Sequence, residues 1–249
     1  MVSTSETGHS TNVANFEELI SRCTALGSAF NPSKDLLKIV GLNTKNTSAK
    51  NALQSVKTAK TAFDNATNSR EIAFESIKKL STRILNALEV SGATKQTVAD
   101  AVTINRKIQG QRANTKDAAA TENPDAAITG SAPKQISVSQ QSYNSLVDHF
   151  AKLILLITAE PLYTPNENDL KLTALNTAMT SLKTANTAVI NAETAYKNAI
   201  INRNKILYDE NTGLVPIAFD VKKYVKSLFG STSPEYKLIN SIRFRSYKK

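Results

Sequence analysis

Apolar residues recur at steps of three and four along most of this chain, which is the periodicity of helices. The clearest case is one stripe in the second half: Leu172, Leu175, Met179, Leu182, Ala185, Val189, Ala192, Tyr196, Ala199 and Ile206. Such spacing is typical of a helix that lies along another helix. Neither 42–91 nor 166–212 contains glycine or proline. We therefore predict one long helix of about 45 residues in each stretch, reaching about 68 Å.

The pattern occurs twice, which indicates an internal duplication. Residues 16–43 align with 150–176 with one gap, and 55–66 match 181–192 at eight of twelve positions. Eleven residues separate Asn43 from Ser55, and four separate Asn176 from Ser181. The difference of seven is about two helical turns, which keeps an apolar stripe nearly in phase. We interpret it as an insertion within a continuous helix.

Breakers mark the same points in both copies. Asn31-Pro32 and Thr164-Pro165 predict helix starts with proline at the first helical position. Gly92 and Gly230 end the next helical segment of each copy, and a short last helix follows each glycine.

The predicted fold is all-α: an elongated helical bundle of two tandem homologous repeats with pseudo-two-fold symmetry and the two long helices as its spine. Its predicted parts are a disordered N-terminus at 1–12, repeat 1 at 13–112, a linker at 113–145 and repeat 2 at 146–249. The linker contains Pro124, Gly130 and Pro133. We expect the two repeats to pack as one domain.

Charge adds a candidate binding surface. The 249 residues carry a net charge of +10 with a pI of about 9.6, which favours anionic partners. Cations end each repeat, and these are the candidate contacts to nucleic acid or another anion: Arg106, Lys107, Arg112, Arg243, Arg245, Lys248 and Lys249. Phe244 and Tyr247 are interleaved with them and could stack on a base. The same cations also suit the C-termini of helices, a purely structural role.

Little in the sequence suggests enzymatic chemistry. Cys23 is the only cysteine and lies on the apolar face of the first helix, as a small buried residue does. Of the two histidines, His9 falls in the polar tail, and His149 follows Asp148 directly, although adjacent residues on a helix do not face each other. Nucleotide-binding glycine loops and HExxH are absent. We predict no catalytic, cofactor-binding or metal-binding residues and no enzyme activity.

The N-terminus lacks a basic start followed by an apolar run, so we read no secretory signal in it. The most apolar segment, 153–158, is far too short to span a bilayer. The expected location is therefore cytoplasmic.

Several motifs of the chain resemble an uncharacterised bacterial family of internally duplicated helical-bundle proteins. In repeat 2 they are Pro165-Asn166, Asp169-Leu170, Leu207-Tyr208, Gly213-Leu214, Val221-Lys222-Lys223-Tyr224-Val225, Phe229-Gly230 and Ser233-Pro234-Glu235-Tyr236-Lys237. In repeat 1 they are Thr82-Arg83-Ile84 and Arg106-Lys107-Ile108-Gln109-Gly110. The resemblance covers most of the chain and implies no activity, ligand or cofactor.

These observations favour a non-enzymatic structural, scaffolding or protein-interaction bundle that binds a protein partner or itself. The first alternative is a protein that binds nucleic acid or an anionic surface through the basic C-terminal ends. The second is a membrane-active, pore-forming-like helical protein, because long amphipathic helices flank the apolar segment 153–157.

Overall fold

The computed structural model describes residues 6–111 and 141–246, and all regular structure in those residues is helical, as predicted. The α-helices are α1 (Glu6–Ala25), α2 (Ile39–Glu75), α3 (Ile77–Glu89), α4 (Lys95–Gln109), α5 (Tyr143–Thr158), α6 (Leu172–Tyr208), α7 (Leu214–Phe229) and α8 (Pro234–Asn240). Two 3-10 turns, Gly27–Ala29 and Asp35–Leu37, lie between α1 and α2.

The chain forms two compact units, and neither coincides with a predicted repeat. The described parts of unit 1 are 6–65 and 191–246, and those of unit 2 are 66–111 and 141–190. Each unit therefore combines helices from both halves of the sequence. Each also has its own cluster of buried apolar side chains.

In unit 1, the first helix packs against the last two. Phe16, Leu19 and Cys23 on α1 are fully buried, and they share one core cluster with Val221 and Val225 of α7. Helix α1 contacts both α7 and α8. Burying a side chain as large as Phe or Leu contributes about 1.5–3 kcal/mol. The predicted burial of Cys23 is confirmed, and burial raises the pKa of its thiol to about 12.

In unit 2, α5 has the role that α1 has in unit 1. Phe150 and Leu153 of α5 are fully buried and share a cluster with Ile84, Leu88 and Ile108 of α3 and α4. Helix α5 contacts α4 and α3, which also contact each other. From the strongly apolar segment 153–158, Leu153, Ile154 and Ile157 thus belong to the core of this unit, whereas Leu155 is exposed.

The prediction of a disordered N-terminus is wrong for residues 6–12, which belong to α1. Asn12 is fully buried, and its Nδ2 donates to the backbone oxygen of Arg245 (2.9 Å) and to the Tyr208 hydroxyl (3.2 Å). The Arg245 backbone N–H donates in turn to Asn12 Oδ1 (2.9 Å). His9 Nδ1 lies 2.6 Å from the same hydroxyl. Polar residues that look like a solvated tail therefore bind a segment far away in sequence.

Both long helices contain 37 residues, fewer than the predicted 45 or so. They do not begin at the prolines. The segments after Pro32 and Pro165 instead form tight turns, in which Leu37 N–H donates to Lys34 O and Leu170 N–H to Glu167 O. Each turn buries its leucine. A fixed proline φ suits a turn as well as a first helical turn, so the local signal was ambiguous.

The equal lengths of α2 and α6 leave no room for the predicted insertion of seven residues. Counted from their first residues, five buried positions of the two helices coincide, although Ala52 of α2 and Arg203 of α6 are buried without a buried counterpart: Leu42, Asn46, Ala49, Val56 and Phe74 in α2, and Leu175, Met179, Leu182, Val189 and Leu207 in α6. This register places Ala59 opposite Ala192, not opposite Ala185. An Ala- and Thr-rich helix nearly repeats itself every seven residues, so an alignment shifted by one heptad scores well.

The stretch 42–91 is also not one helix, because α2 ends at Glu75 and α3 begins at Ile77. Ser76 between them keeps right-handed helical dihedrals (φ −85°, ψ −11°), so the break needs neither glycine nor proline. After α6 the chain leaves the helix at a wider turn, where Asp209 Oδ1 accepts hydrogen bonds from the N–H groups of Asn211 (3.2 Å) and Thr212 (2.9 Å).

His149 of α5 is a buried histidine with no hydrogen-bonding partner for either ring nitrogen among the described residues. The nearest carboxylate oxygen, on Asp148, lies 4.0 Å from Nδ1. Burial, together with the charge of Lys107, holds the pKa of His149 below its ordinary value of 6.5. This imidazole is a neutral packing group of unit 2.

We expect the two halves of the chain to stay together after the chain is cut. A protease site introduced between Gly130 and Ser131 would separate α1–α4 from α5–α8, yet each unit needs helices from both fragments. The cut protein should elute from gel filtration as one species and melt cooperatively. Two separate fragments after native gel filtration would contradict the packing of α1 on α7 and α8.

The buried His149 should make unit 2 less stable in mild acid. Below a pH of about 6.5 the unfolded chain binds a proton that the folded chain does not. The free energy of unfolding therefore decreases as the pH is lowered, by at most about 1.4 kcal/mol per pH unit. His149→Leu should remove this contribution between about pH 7 and pH 5.5, as measured by urea unfolding. The carboxylates titrate in both proteins, so the difference isolates His149. Parallel pH profiles would contradict the assignment.

Candidate functional site

Helix α7 buries a lysine on its apolar face. The five positions that α3 buries have buried counterparts at the same spacing in α7, which buries Val215 and Ile217 in addition: Ile77, Ser81, Ile84, Leu85 and Leu88 in α3, and Leu214, Ala218, Val221, Lys222 and Val225 in α7. Lys222 and Leu85 are each 8% exposed. By spacing alone, the buried ammonium group of Lys222 in α7 compares with the buried side chain of Leu85 in α3. Since lysine is almost never buried without a partner, this position calls for an explanation.

The Lys222 ammonium is held by backbone oxygens and by no carboxylate. Its Nζ donates to the carbonyl oxygen of Asn240 (3.2 Å) and to that of Ile242. These carbonyls stand at the end of α8, where a cation is favoured by the helix dipole. Burial, and secondarily the charge of Arg243, holds the pKa of Lys222 below its ordinary value.

A cleft of about 540 Å³ opens beside this ammonium. Residues of α7, α8 and the segment after α8 line it: Phe219, Lys222, Lys223, Lys226, Tyr236, Asn240, Ile242, Arg243 and Phe244. Four of these are cations and none is an acid. The Asp220 carboxylate, which is not part of the lining, lies 3.5 Å from Lys34 Nζ and 3.8 Å from Lys223 Nζ, so the charge of Lys223 is partly compensated. With three further cations and no acid in its lining, the cleft still carries an excess of positive charge.

Aromatic rings form part of the wall. Phe219 and Phe244 meet edge to face, with ring centroids 6.3 Å apart and planes at 68°. Lys222 Nζ lies 5.5 Å from the centroid of Phe244 and 6.0 Å from that of Phe219, within cation–π range. Phe219 is 42% exposed, so part of its ring is open to a ligand.

Polar residues of α1 fix the segment that carries Arg243 and Phe244. Asn15 Nδ2 donates to the Arg243 backbone oxygen (2.6 Å), and Arg22 Nη1 donates to Ser241 Oγ (3.0 Å) and to the Leu238 oxygen. The first helix of the chain thus positions one wall of the cleft. Its apolar face builds the core while its polar edge holds this segment.

The structure does not gather the predicted anion contacts into one site. Arg106 and Lys107 lie in the last turn of α4 in unit 2, whereas Arg243 and Arg245 follow α8 in unit 1. The other three, which are Arg112, Lys248 and Lys249, lie outside the described residues. Of the four that the structure describes, Arg243 is the residue that lines the cleft.

Sequence reasoning missed the three lysines of α7 as site residues. A signal existed, since Lys222 falls at a core position between Val221 and Val225. From the sequence alone, however, a lysine at such a position could equally extend along the surface with its charge in water. Its burial becomes evident only in the structure, where Leu85 of α3 is buried at the same spacing. Lys223 and Lys226 are exposed, and their positions carry no local signal.

Two other clefts, both in unit 2, have compensated charge. One is lined by Arg83, Val90, Leu162 and residues of the 164–170 turn. There Arg83 pairs with Asp169, and this hydrogen bond holds the pKa of Asp169 below its ordinary value. The other combines Glu71 and Glu75 with Lys78. Neither presents an excess of one charge comparable to the cleft of unit 1.

Within residues 6–111 and 141–246, no group of three or more His, Cys, Asp or Glu side chains is placed to hold a metal ion. No helix of that described part is long and apolar enough to cross a membrane. No protein-family model matches the chain, and neither the curated proteins nor the solved structures contain a significant match to it.

Proposed function

We propose that this protein is a non-enzymatic helical interaction module that binds an anionic partner in the cleft of unit 1. The observation that carries the proposal is the buried ammonium of Lys222, which faces a cleft lined by cations and no acid. An excess of positive charge in a cleft attracts anions and concentrates them at its mouth. The proposal keeps the predicted interaction role and gives it a surface.

The cap that Lys222 provides for α8 is the competing, purely structural explanation. Two carbonyls can hold one ammonium at a helix end without any ligand. The cap does not account for the rest of the cleft, however. Lys223, Lys226 and Arg243 add three cations with no acid in the lining. Like charges kept together in this way cost free energy that a bound anion would offset.

We include an internal duplication in the proposal. It would explain why the helices of unit 2 can be compared, position by position, with those that form the cleft in unit 1. It is supported by the equal lengths of α2 and α6 and by the matching burial of α3 and α7. Phe16 and Phe150, both fully buried, support it for the first helices. On this view α3 retains an apolar packing residue, Leu85, whereas α7 has a lysine, Lys222, at the corresponding position, where it would serve binding.

In such a duplication, the first helix of each copy would pack on the last helices of the other copy. Helix α1 packs on α7 and α8 of the second half, and α5 packs on α3 and α4 of the first. Both units would be assembled from the same kinds of helix with opposite origins. Such a module suits an adaptor, in which one unit keeps a neutral core and the other carries the binding cleft.

Binding to inorganic polyphosphate tests the proposed function through its salt dependence. We expect the triple substitution Lys223→Ala, Lys226→Ala and Arg243→Ala to weaken binding at least about tenfold and to lower the slope of log K against log salt by about two. The control is Lys57→Ala, Lys183→Ala and Lys205→Ala, which removes the same charge from exposed sites outside the cleft. Equal losses in both variants would show that net charge alone drives binding.

Lys222→Leu separates binding from capping. Leucine is the residue that α3 has at the matching position, but it leaves the carbonyls of Asn240 and Ile242 without their donor, so the free energy of unfolding should fall by about 1–3 kcal/mol. Affinity for polyphosphate should fall several-fold, as measured by titration calorimetry. An unchanged affinity would assign Lys222 to the cap of α8 only.

A further inference from the structure

We infer that the cleft of unit 1 receives a nucleotide unit, with its phosphate held between Lys222 and Arg243 and its base against the ring of Phe219. The inference rests on the proposed anion-binding function and specifies the ligand. The shared chemistry is a phosphate joined to a flat heteroaromatic base. A single-stranded nucleic acid and a free nucleotide both supply it.

The phosphate end is assigned to Lys222 because its donors are not exhausted. An ammonium group has three N–H donors. Two of them are used by the carbonyl oxygens of Asn240 and Ile242, and the structure gives the third no acceptor within the described residues. Carbonyl dipoles leave the full positive charge of the group in place. Arg243 brings a second cation to the same wall, and a phosphate oxygen can accept from both side chains.

The base end is assigned to Phe219, which precedes Lys222 by one helical turn on α7. Its ring is 42% exposed inside a basic cleft, and its contact with Phe244 fixes its orientation. An exposed aromatic ring beside cations is the arrangement that proteins use to stack bases while they bind the adjoining phosphates. The cleft offers this combination on neighbouring turns of one helix.

The size of the cleft favours a nucleotide unit over an acidic protein. A volume of about 540 Å³ is within the range of sites for small ligands and cofactors. A stable protein partner would instead cover about 800 Å² of each surface. The occupant that fits is one with a concentrated charge and a single flat ring.

The experiment compares three probes: a fluorescein-labelled oligothymidylate, thymidine monophosphate and inorganic polyphosphate. Phe219→Leu removes the ring but retains an apolar side chain at a partly exposed position. It should weaken oligothymidylate binding by about 5- to 150-fold, the loss of one stacked base, and leave polyphosphate binding unchanged. Phe63→Leu, on α2 and outside the cleft, is the matched control and should alter neither.

The outcomes separate this inference from the proposed function. Polyphosphate binding with an oligothymidylate affinity that Phe219→Leu does not alter would overturn the nucleotide assignment alone. So would a poly-glutamate chain that binds more tightly than the oligonucleotide. Failure of every anionic probe at low salt would overturn both proposals. Displacement of the oligonucleotide by equimolar thymidine monophosphate would identify a free nucleotide as the ligand. If equimolar thymidine monophosphate does not displace it, the ligand is a single-stranded nucleic acid.

Discussion

An apolar helix face must be covered on two sides, and this requirement organises each unit. Helix α1 buries Phe16 and Leu19 completely, and one neighbouring helix would leave part of that face in water. Helices α7 and α8 together cover it in unit 1, as α3 and α4 cover α5 in unit 2. Because the covering helices come from the other half of the chain, neither half contains a complete core. The pairing of distant segments is therefore a condition of folding.

The candidate cleft depends on the same packing. Once α7 lies on α1, its buried face is fixed, and Lys222 on that face must end among the carbonyls at the end of α8. The polar edge of α1 then holds the segment after α8 through Asn15 and Arg22. Core and cleft share these elements, so substitutions on the exposed side of the cleft are the ones that can alter binding without disturbing the core. Phe219 and Arg243 belong to that side.

Sequence reasoning succeeded where the signal was local and redundant. The helical class and the burial of Cys23 follow from apolar spacing. It failed at Pro32 and Pro165, because the φ value of proline suits both a turn and the start of a helix. It also failed in the register of the two long helices, because their small residues recur every seven positions and a shifted alignment matches well. Of the candidate anion contacts, Arg243 lines the cleft of unit 1, whereas Arg106 and Lys107, which were grouped with it, lie in the other unit.

The sequence by itself determined the helical class and the apolar face of a helix such as α1, because hydrophobic periodicity is a property of a few turns of chain. Only the tertiary structure decided that α1 is covered by α7 and α8, and that Lys222 of α7 is buried. The covering of α1 depends on contacts between residues more than a hundred positions apart. Local spacing specifies that a face must be buried, whereas the partner that buries it is selected by the packing of the whole unit.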